Sequence, residues 1–232
     1  MSSRPADAGA TVYMLTVRGN LSPATLEEGR VLHNRTAGAE ENIAAARSLG
    51  DLTHTVYVPR ADAERSDTGN TVLFIDTWNS ASGIGDFFGN KDVTEMAGML
   101  FEQRDPVVWA PTEGFGGFHL PVPSGREAAA LGILRAKVTS VEAAQKAFHA
   151  HTARVINDAR KHGQISHQTY LRMTPPGEPQ SLEVLSVDAW FDTEAMDSFY
   201  ADESHYTELG GAFAGAPDTG TWRPAPGQWN EW

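Results

Sequence analysis

The chain has 232 residues, 41% of them hydrophobic, with six tryptophans and a formal charge of −12. This composition supports a buried core and argues against a nucleic-acid partner, because neutralising phosphates needs a Lys/Arg surface that no segment here supplies. Cysteine is absent, which removes disulfides, thiolate metal sites and cysteine nucleophiles together.

The opening MSSRPADAGA lacks the apolar centre of a secretory signal, and no run approaches the ~18 apolar residues of a membrane span. A soluble, cytoplasmic protein is expected, with no membrane partner. Val12 to Arg18 is rich in β-branched and aromatic residues and predicts a strand. Ser22 and Pro23 open a helix as N-cap and first helical residue, and it runs from there to Leu49 and stops at Gly50. Leu52 to Val58 predicts a second strand, 59–70 a polar loop, and Thr71 to Asn79 a third strand. A second helix follows over Ser80 to Phe101, then a short strand over Pro106 to Ala110.

After a Gly/Pro-rich linker at 114–128, the order recurs. It runs as strand Leu131 to Val138, helix Ser140 to His162, strand Ile165 to Met173, strand Leu182 to Phe191, helix Thr193 to Ala214 and strand Thr219 to Arg223. Thr139 and Glu142 form the pattern of a capping box at the start of the first of these helices.

The recurrence is visible residue by residue. Shifting the chain by 112 positions sets Thr71 on Glu183 and matches Val72 with Val184, Leu73 with Leu185, Asp76 with Asp188 and Trp78 with Trp190. It also matches Phe87 with Phe199, Gly98 with Gly210 and Phe101 with Phe213. Seven identities in the thirty positions from Val72 to Phe101 compare with roughly two by chance. Upstream, LGDLTHTVYV from Leu49 answers HGQISHQTYL from His162, and VVWAP around Trp109 answers GTWRP around Trp222.

A period this long is not a solenoid unit, whose repeat is ~20–50 residues. It predicts two tandem ferredoxin-like β-α-β-β-α-β repeats, 11–113 and 129–232. Each four-stranded sheet would leave one face bare, so the two sheets are expected to face each other as an α+β, intramolecular dimeric α/β-barrel. Any further homo-oligomer would then form through outer surfaces.

The stretch SVDAWFDTEAMDSFYADESHYTEL, Ser186 to Leu209, resembles the antibiotic biosynthesis monooxygenase domains of the dimeric α/β-barrel superfamily. The shared pattern is a strand ending in an acidic residue and a Trp, then a helix ending in a His-aromatic pair, here His205-Tyr206. In the first repeat Val93 and Thr94 take those two positions. The resemblance implies a small-molecule enzyme, monooxygenase-like, oxidising or rearranging an aromatic or polyketide-like substrate without an organic cofactor. It makes the strand tryptophans, Trp78 and Trp190, pocket walls. The alternatives it admits are a non-catalytic ligand-binding or stress-associated barrel and a haem-binding relative, in which His205 would stand at an iron ligand's position.

Cofactor-free oxygenation needs an apolar pocket, an aromatic wall, and a base for an acidic phenol or enol. Histidine suits that role because its proton moves near neutral pH. His54 and His167 are repeat equivalents that share strand parity with inward residues; each is either a satisfied core histidine or a catalytic group. His33 falls at the edge of a helical arc set by Leu32, Thr36, Ala39, Ile43 and Ala46, with Asn34 outside it. His149 and His151 flank the corresponding arc of the other repeat. Asp76 and Asp188 sit two residues before Trp78 and Trp190, on the same strand face, as substrate-facing catalytic bases or as carboxylates hydrogen-bonded across the seam between the repeats. Candidate catalytic residues are therefore His33, His54, His167 and His205, with Trp78, Trp190, Asp76, Asp188 and Tyr206 for the substrate. No HxH or HExxH spacing supports a metal site. Glu113 and the preceding strand close the first repeat.

Overall fold

The computed structural model describes residues 11–60, 70–121 and 127–232. Most of the expected polar loop at 59–70, the centre of the linker and the first ten residues lie outside them. The first part of the chain runs β1 (Tyr13–Leu21), α1 (Leu26–Arg35), α2 (Glu40–Ser48), β2 (Asp51–Pro59), β3 (Thr71–Trp78), α3 (Ala81–Phe88), α4 (Lys91–Leu100) and β4 (Phe101–Pro111). The remainder runs β5 (Phe118–His119), β6 (Ala130–Lys137), α5 (Val141–Lys161), β7 (Gln164–Arg172), β8 (Glu183–Trp190), α6 (Thr193–Ala201), a 3-10 turn (Glu203–Tyr206) and β9 (Asp218–Pro224).

Eight of the strands close into an antiparallel barrel in the order β4-β1-β3-β2-β9-β6-β8-β7, with β4 returning to β7. The two sheets therefore do not simply face each other, as expected. Their edges hydrogen-bond at two seams, Tyr57–Pro59 with Trp222–Pro224 and Trp109–Pro111 with Tyr170–Arg172. Closing the ring satisfies strand edges that would otherwise be left open. The short β5, inside the expected linker, adds to β7.

Strand alternation divides the apolar residues between two sides of the wall. Met14, Leu73, Ile75, Val107, Trp109, Leu131, Tyr170, Leu185 and Trp222 fill the barrel interior, drawn from both ends of the chain. On the outer side Leu15, Val17, Val56, Phe74 and Trp78 pack beneath the first helices, while Ala136, Val184 and Trp190 pack beneath the later ones. Among the described residues no helix is long and apolar enough to cross a membrane.

Three expected helices are broken, each for a local reason. The first ends at Arg35, where the Thr36 and Gly38 N–H groups both donate to the His33 carbonyl. Its N-cap is Thr25, boxed with Glu28, rather than Ser22. The second divides between α3 and α4 at Gly89-Asn90, with Asn90 capping α4. The third stops at Ala201, where Asp202 accepts the Ser204 N–H and starts the 3-10 turn. The α5 cap is Ser140, which accepts from Ala143, rather than the expected Thr139–Glu142 box.

Candidate active site

The outer face of β2 and β3 carries its polar groups among apolar ones. His54 lies on the same face as Val56 and Val58, and Asp76 on the same face as Phe74 and Trp78; all of these are buried. His54 and Asp76 are direct cross-strand partners, with Nδ1 2.5 Å from Oδ1. β7 and β8 repeat the arrangement, with His167 Nδ1 2.6 Å from Asp188 Oδ1.

A second acidic group, Asp51, joins the first pair through a β-bulge. The β2–β3 register shifts between Asp51 and Thr53, which leaves Leu52 exposed and turns Asp51 inward. Strict alternation would have put Asp51 and His54 on opposite faces, and for that reason the sequence did not single Asp51 out. The matching position on β7 is Gln164, which also sits at a bulge but carries no charge.

Between this face and helices α3 and α4 lies a cavity of about 500 Å³. Leu15, Val17, Phe74, Trp78, Ile84, Phe87, Phe88, Val93, Ala97, Leu100 and Phe101 form its largely apolar wall, and Asp51, His54 and Asp76 are its buried polar groups. Thr94 and Trp232 also line it. Asp51 Oδ1 and the indole N–H of Trp78 are buried without a hydrogen-bond partner. Burial, reinforced by Asp76, pushes the Asp51 carboxyl up to about 7.

Behind His54 stands His33, fully buried rather than at a helix edge. The break after Arg35 resets the helical phase, so that Gly29 and His33, one turn apart, face inward in place of Leu32. Gly38 permits this approach, because a Cβ there would come within 2.8 Å of the His33 ring. Asn34, expected outside the arc, instead contacts His33 and the segment 225–232 that follows β9. That segment crosses from the far end of the chain. Trp232 stacks on His54 with ring centroids 4.6 Å apart, and Trp229 lies against His33 at 5.1 Å.

The corresponding space beneath α5 and α6 is nearly filled, at about 20 Å³. The Tyr200 hydroxyl donates to Asp188 Oδ2 at 2.8 Å and accepts the Trp190 indole N–H at 3.1 Å. Tyr206 lines the remaining gap with His151 and His167, whose rings are 6.5 Å apart. At the positions 112 earlier stand Phe88 and Thr94, which line the open cavity instead. His205 is buried but turned away from both spaces; Nδ1 faces the Phe199 carbonyl at 3.1 Å, and Nε2 is 3.5 Å from Asp158 and 3.6 Å from Asp202.

An iron-bound haem requires an imidazole nitrogen free to face it. Both nitrogens of His54 and of His33 are engaged with protein groups, His205 is directed at carboxylates, and the space at His167 is nearly closed. None of these four histidines therefore turns a free imidazole nitrogen into a space open enough for a haem; His167 Nε2 has no partner, but only about 20 Å³ lies beside it. Among the described residues no cluster of three or more His, Asp or Glu side chains is arranged to hold a metal ion.

No family model matches the chain, and no curated protein does. Solved structures do match over almost the full length. An anthrone oxidase-like protein shares 12% identity at a TM-score of 0.63, with 94% of this chain and 92% of that one covered. The "putative monooxygenase" of Lactobacillus acidophilus NCFM shares 10% at 0.59, covering 91% and 93%. A "putative chlorite dismutase" shares 11% at 0.55, covering 93% and 95%. At these identities the likeness establishes the fold alone, an α+β antiparallel barrel with helices packed outside it.

Proposed function

We propose that the chain is a monooxygenase-like oxidoreductase that oxidises an aromatic or polyketide-like substrate in the cavity beneath α3 and α4. The observation that carries this reading is a buried carboxyl, Asp51, whose Oδ1 has no hydrogen-bond partner and which lines an apolar, aromatic-walled space of about 500 Å³. A base with its pKa near 7 is matched to removing a proton from an acidic phenol, enol or activated methylene at neutral pH. Trp78 supplies a rigid wall and an N–H donor for the oxygen on which negative charge develops. The resulting anion passes its electrons to dioxygen. For a methylene becoming a carbonyl, one oxygen atom enters the product, and the other leaves as water with the two hydrogens. No external reductant is needed.

The likeness to anthrone oxidase-like and monooxygenase-named structures supports the reaction class. We also read the chain as a tandem duplication with domains 11–113 and 129–232 joined by 114–128. The matching strand orders β4-β1-β3-β2 and β9-β6-β8-β7 support it. Under this reading only the first repeat has kept an open site.

The test is oxygen uptake with 1,8-dihydroxy-9-anthrone as probe, with the product mass read under labelled dioxygen. One labelled oxygen in the product, formed without added flavin, haem or metal, is the expected result. Saturable binding without oxygen uptake would overturn the enzymatic reading in favour of a binding protein.

A further inference from the structure

The hydrogens around His33 and His54 are fixed by their outer partners. The Asn34 side chain has one orientation, because its nitrogen donates to the Gln228 carbonyl at 2.8 Å and its oxygen accepts the Asn230 N–H at 2.9 Å. Turning the amide over would lose both bonds. The same oxygen lies 3.0 Å from His33 Nδ1, so that nitrogen carries a hydrogen. At the other end His54 Nδ1 lies 2.5 Å from Asp76 Oδ1 and donates to the carboxylate.

With both Nδ1 atoms committed as donors, each neutral ring has only a lone pair at Nε2. Yet the two Nε2 atoms are 3.0 Å apart. The planes are within 7° and the centroids 5.1 Å apart, so the rings meet edge to edge with these nitrogens pointing at each other. Two facing lone pairs repel, and a positive centre must lie between them. A metal does not fit there, since bonds of about 2.0–2.1 Å to opposed nitrogens would need them ~4 Å apart. A hydrogen bond fits. Moving the other hydrogen across the short Asp76–His54 contact changes nothing in the count: the three groups hold one proton more than a carboxylate and two neutral rings.

We propose that His33 and His54 share one bound proton between their Nε2 atoms, which makes Asp76–His54–His33 a buried relay with its cation on His54, at the wall of the cavity. His33 and His54 then offer no nitrogen to a substrate and act as positioning residues. Resting on the function proposed above, their role is to hold a fixed positive charge beside the anion that Asp51 generates. The groups facing His54 agree: Asp76 from β3, Asp51 from β2 and Glu231 from the crossing segment are acidic, and His33 from α1 supplies the acceptor. Burial alone would lower the His54 pKa, but Asp76 and the other acids raise it. Burial and the neighbouring His54 charge lower His33 to about 4.

The experiment is nitrogen-15 NMR of labelled histidine side chains in the intact chain, followed from pH 5 to 9. The expected result at pH 7 is His54 protonated on both nitrogens, His33 protonated on Nδ1 only, and a slowly exchanging proton correlated with both rings. His33→Gln, which keeps an acceptor oxygen, should preserve the His54 state. His33→Leu should lower its midpoint by about one unit or more. A singly protonated His54 in the unaltered chain at pH 7 would overturn the proposal, even if His33→Leu fails to fold. So would loss of the shared proton on adding one equivalent of zinc alone. No substrate enters this measurement, so a failure of turnover would leave it standing.

Discussion

The Tyr200 hydroxyl occupies space that only a glycine at position 132 leaves free: a Cβ on Gly132 would come within 1.8 Å of that oxygen. Gly132 pairs with Asp188 across β6 and β8, as Leu15 pairs with Asp76 across β1 and β3. Gly132 and Tyr200 thus close one site together, with Asp188 and Trp190 hydrogen-bonded to the phenol. Leu15 and Phe88 leave the other open, with Trp78 Nε1 unpartnered.

Tyr200 accordingly acts as structure beneath α5 and α6. Replacing it with Phe removes both hydrogen bonds and strands the Trp190 N–H, a loss of about 1–3 kcal/mol. Thermal unfolding should show a lower melting temperature with turnover unchanged. An unchanged melting temperature would mean that the phenol is not a structural member.

Filling the open cavity should separate binding from folding. Ala97 lines it from α4, and Ala97→Phe places a ring in existing space rather than in a packed core. Probe affinity and turnover should fall about tenfold or more, at 1.4 kcal/mol per tenfold, while the melting temperature stays within a few degrees. Full retention of turnover would place the chemistry elsewhere.

The raised Asp51 pKa makes stability depend on pH with a definite sign. Its protonated form is favoured by folding, so that contribution is complete below the ordinary carboxylate range near 4 and is lost as pH rises through about 7. Asp51→Asn, neutral throughout, should therefore melt higher than the unaltered chain at pH 8, and the difference should shrink by pH 5. Equal differences at both pH values would show that Asp51 is not held above its usual range.

Much of this was legible in the sequence because it depends on short-range periodicity. The repeated Asp-x-Trp and the inward His54 and His167 follow from alternation within strands that bear no irregularity at those points. Asp51 was hidden by one bulged residue, Leu52, which inverts parity and has no composition of its own. His33 was misplaced because the helical arc was carried across a break that the Thr36 and Gly38 N–H groups make on the His33 carbonyl. The crossing of Trp229 and Trp232 onto His33 and His54 joins residues nearly two hundred positions apart, which no local pattern records. The difference between Thr94 and Tyr206 was visible as a departure from the repeat, but only the geometry shows that it accompanies an open cavity.

The central claim is that Asp51 removes the substrate proton in the open cavity, and the pH dependence of kcat/KM tests it most directly. With 1,8-dihydroxy-9-anthrone the unaltered chain should show a limb rising with pH and centred near 7, as Asp51 ionises. Asp51→Asn should lose that limb and about 100-fold or more in kcat/KM, within the usual range for a general base. An Asp51→Asn chain that keeps the same limb and stays within a few-fold of the unaltered rate would contradict the account.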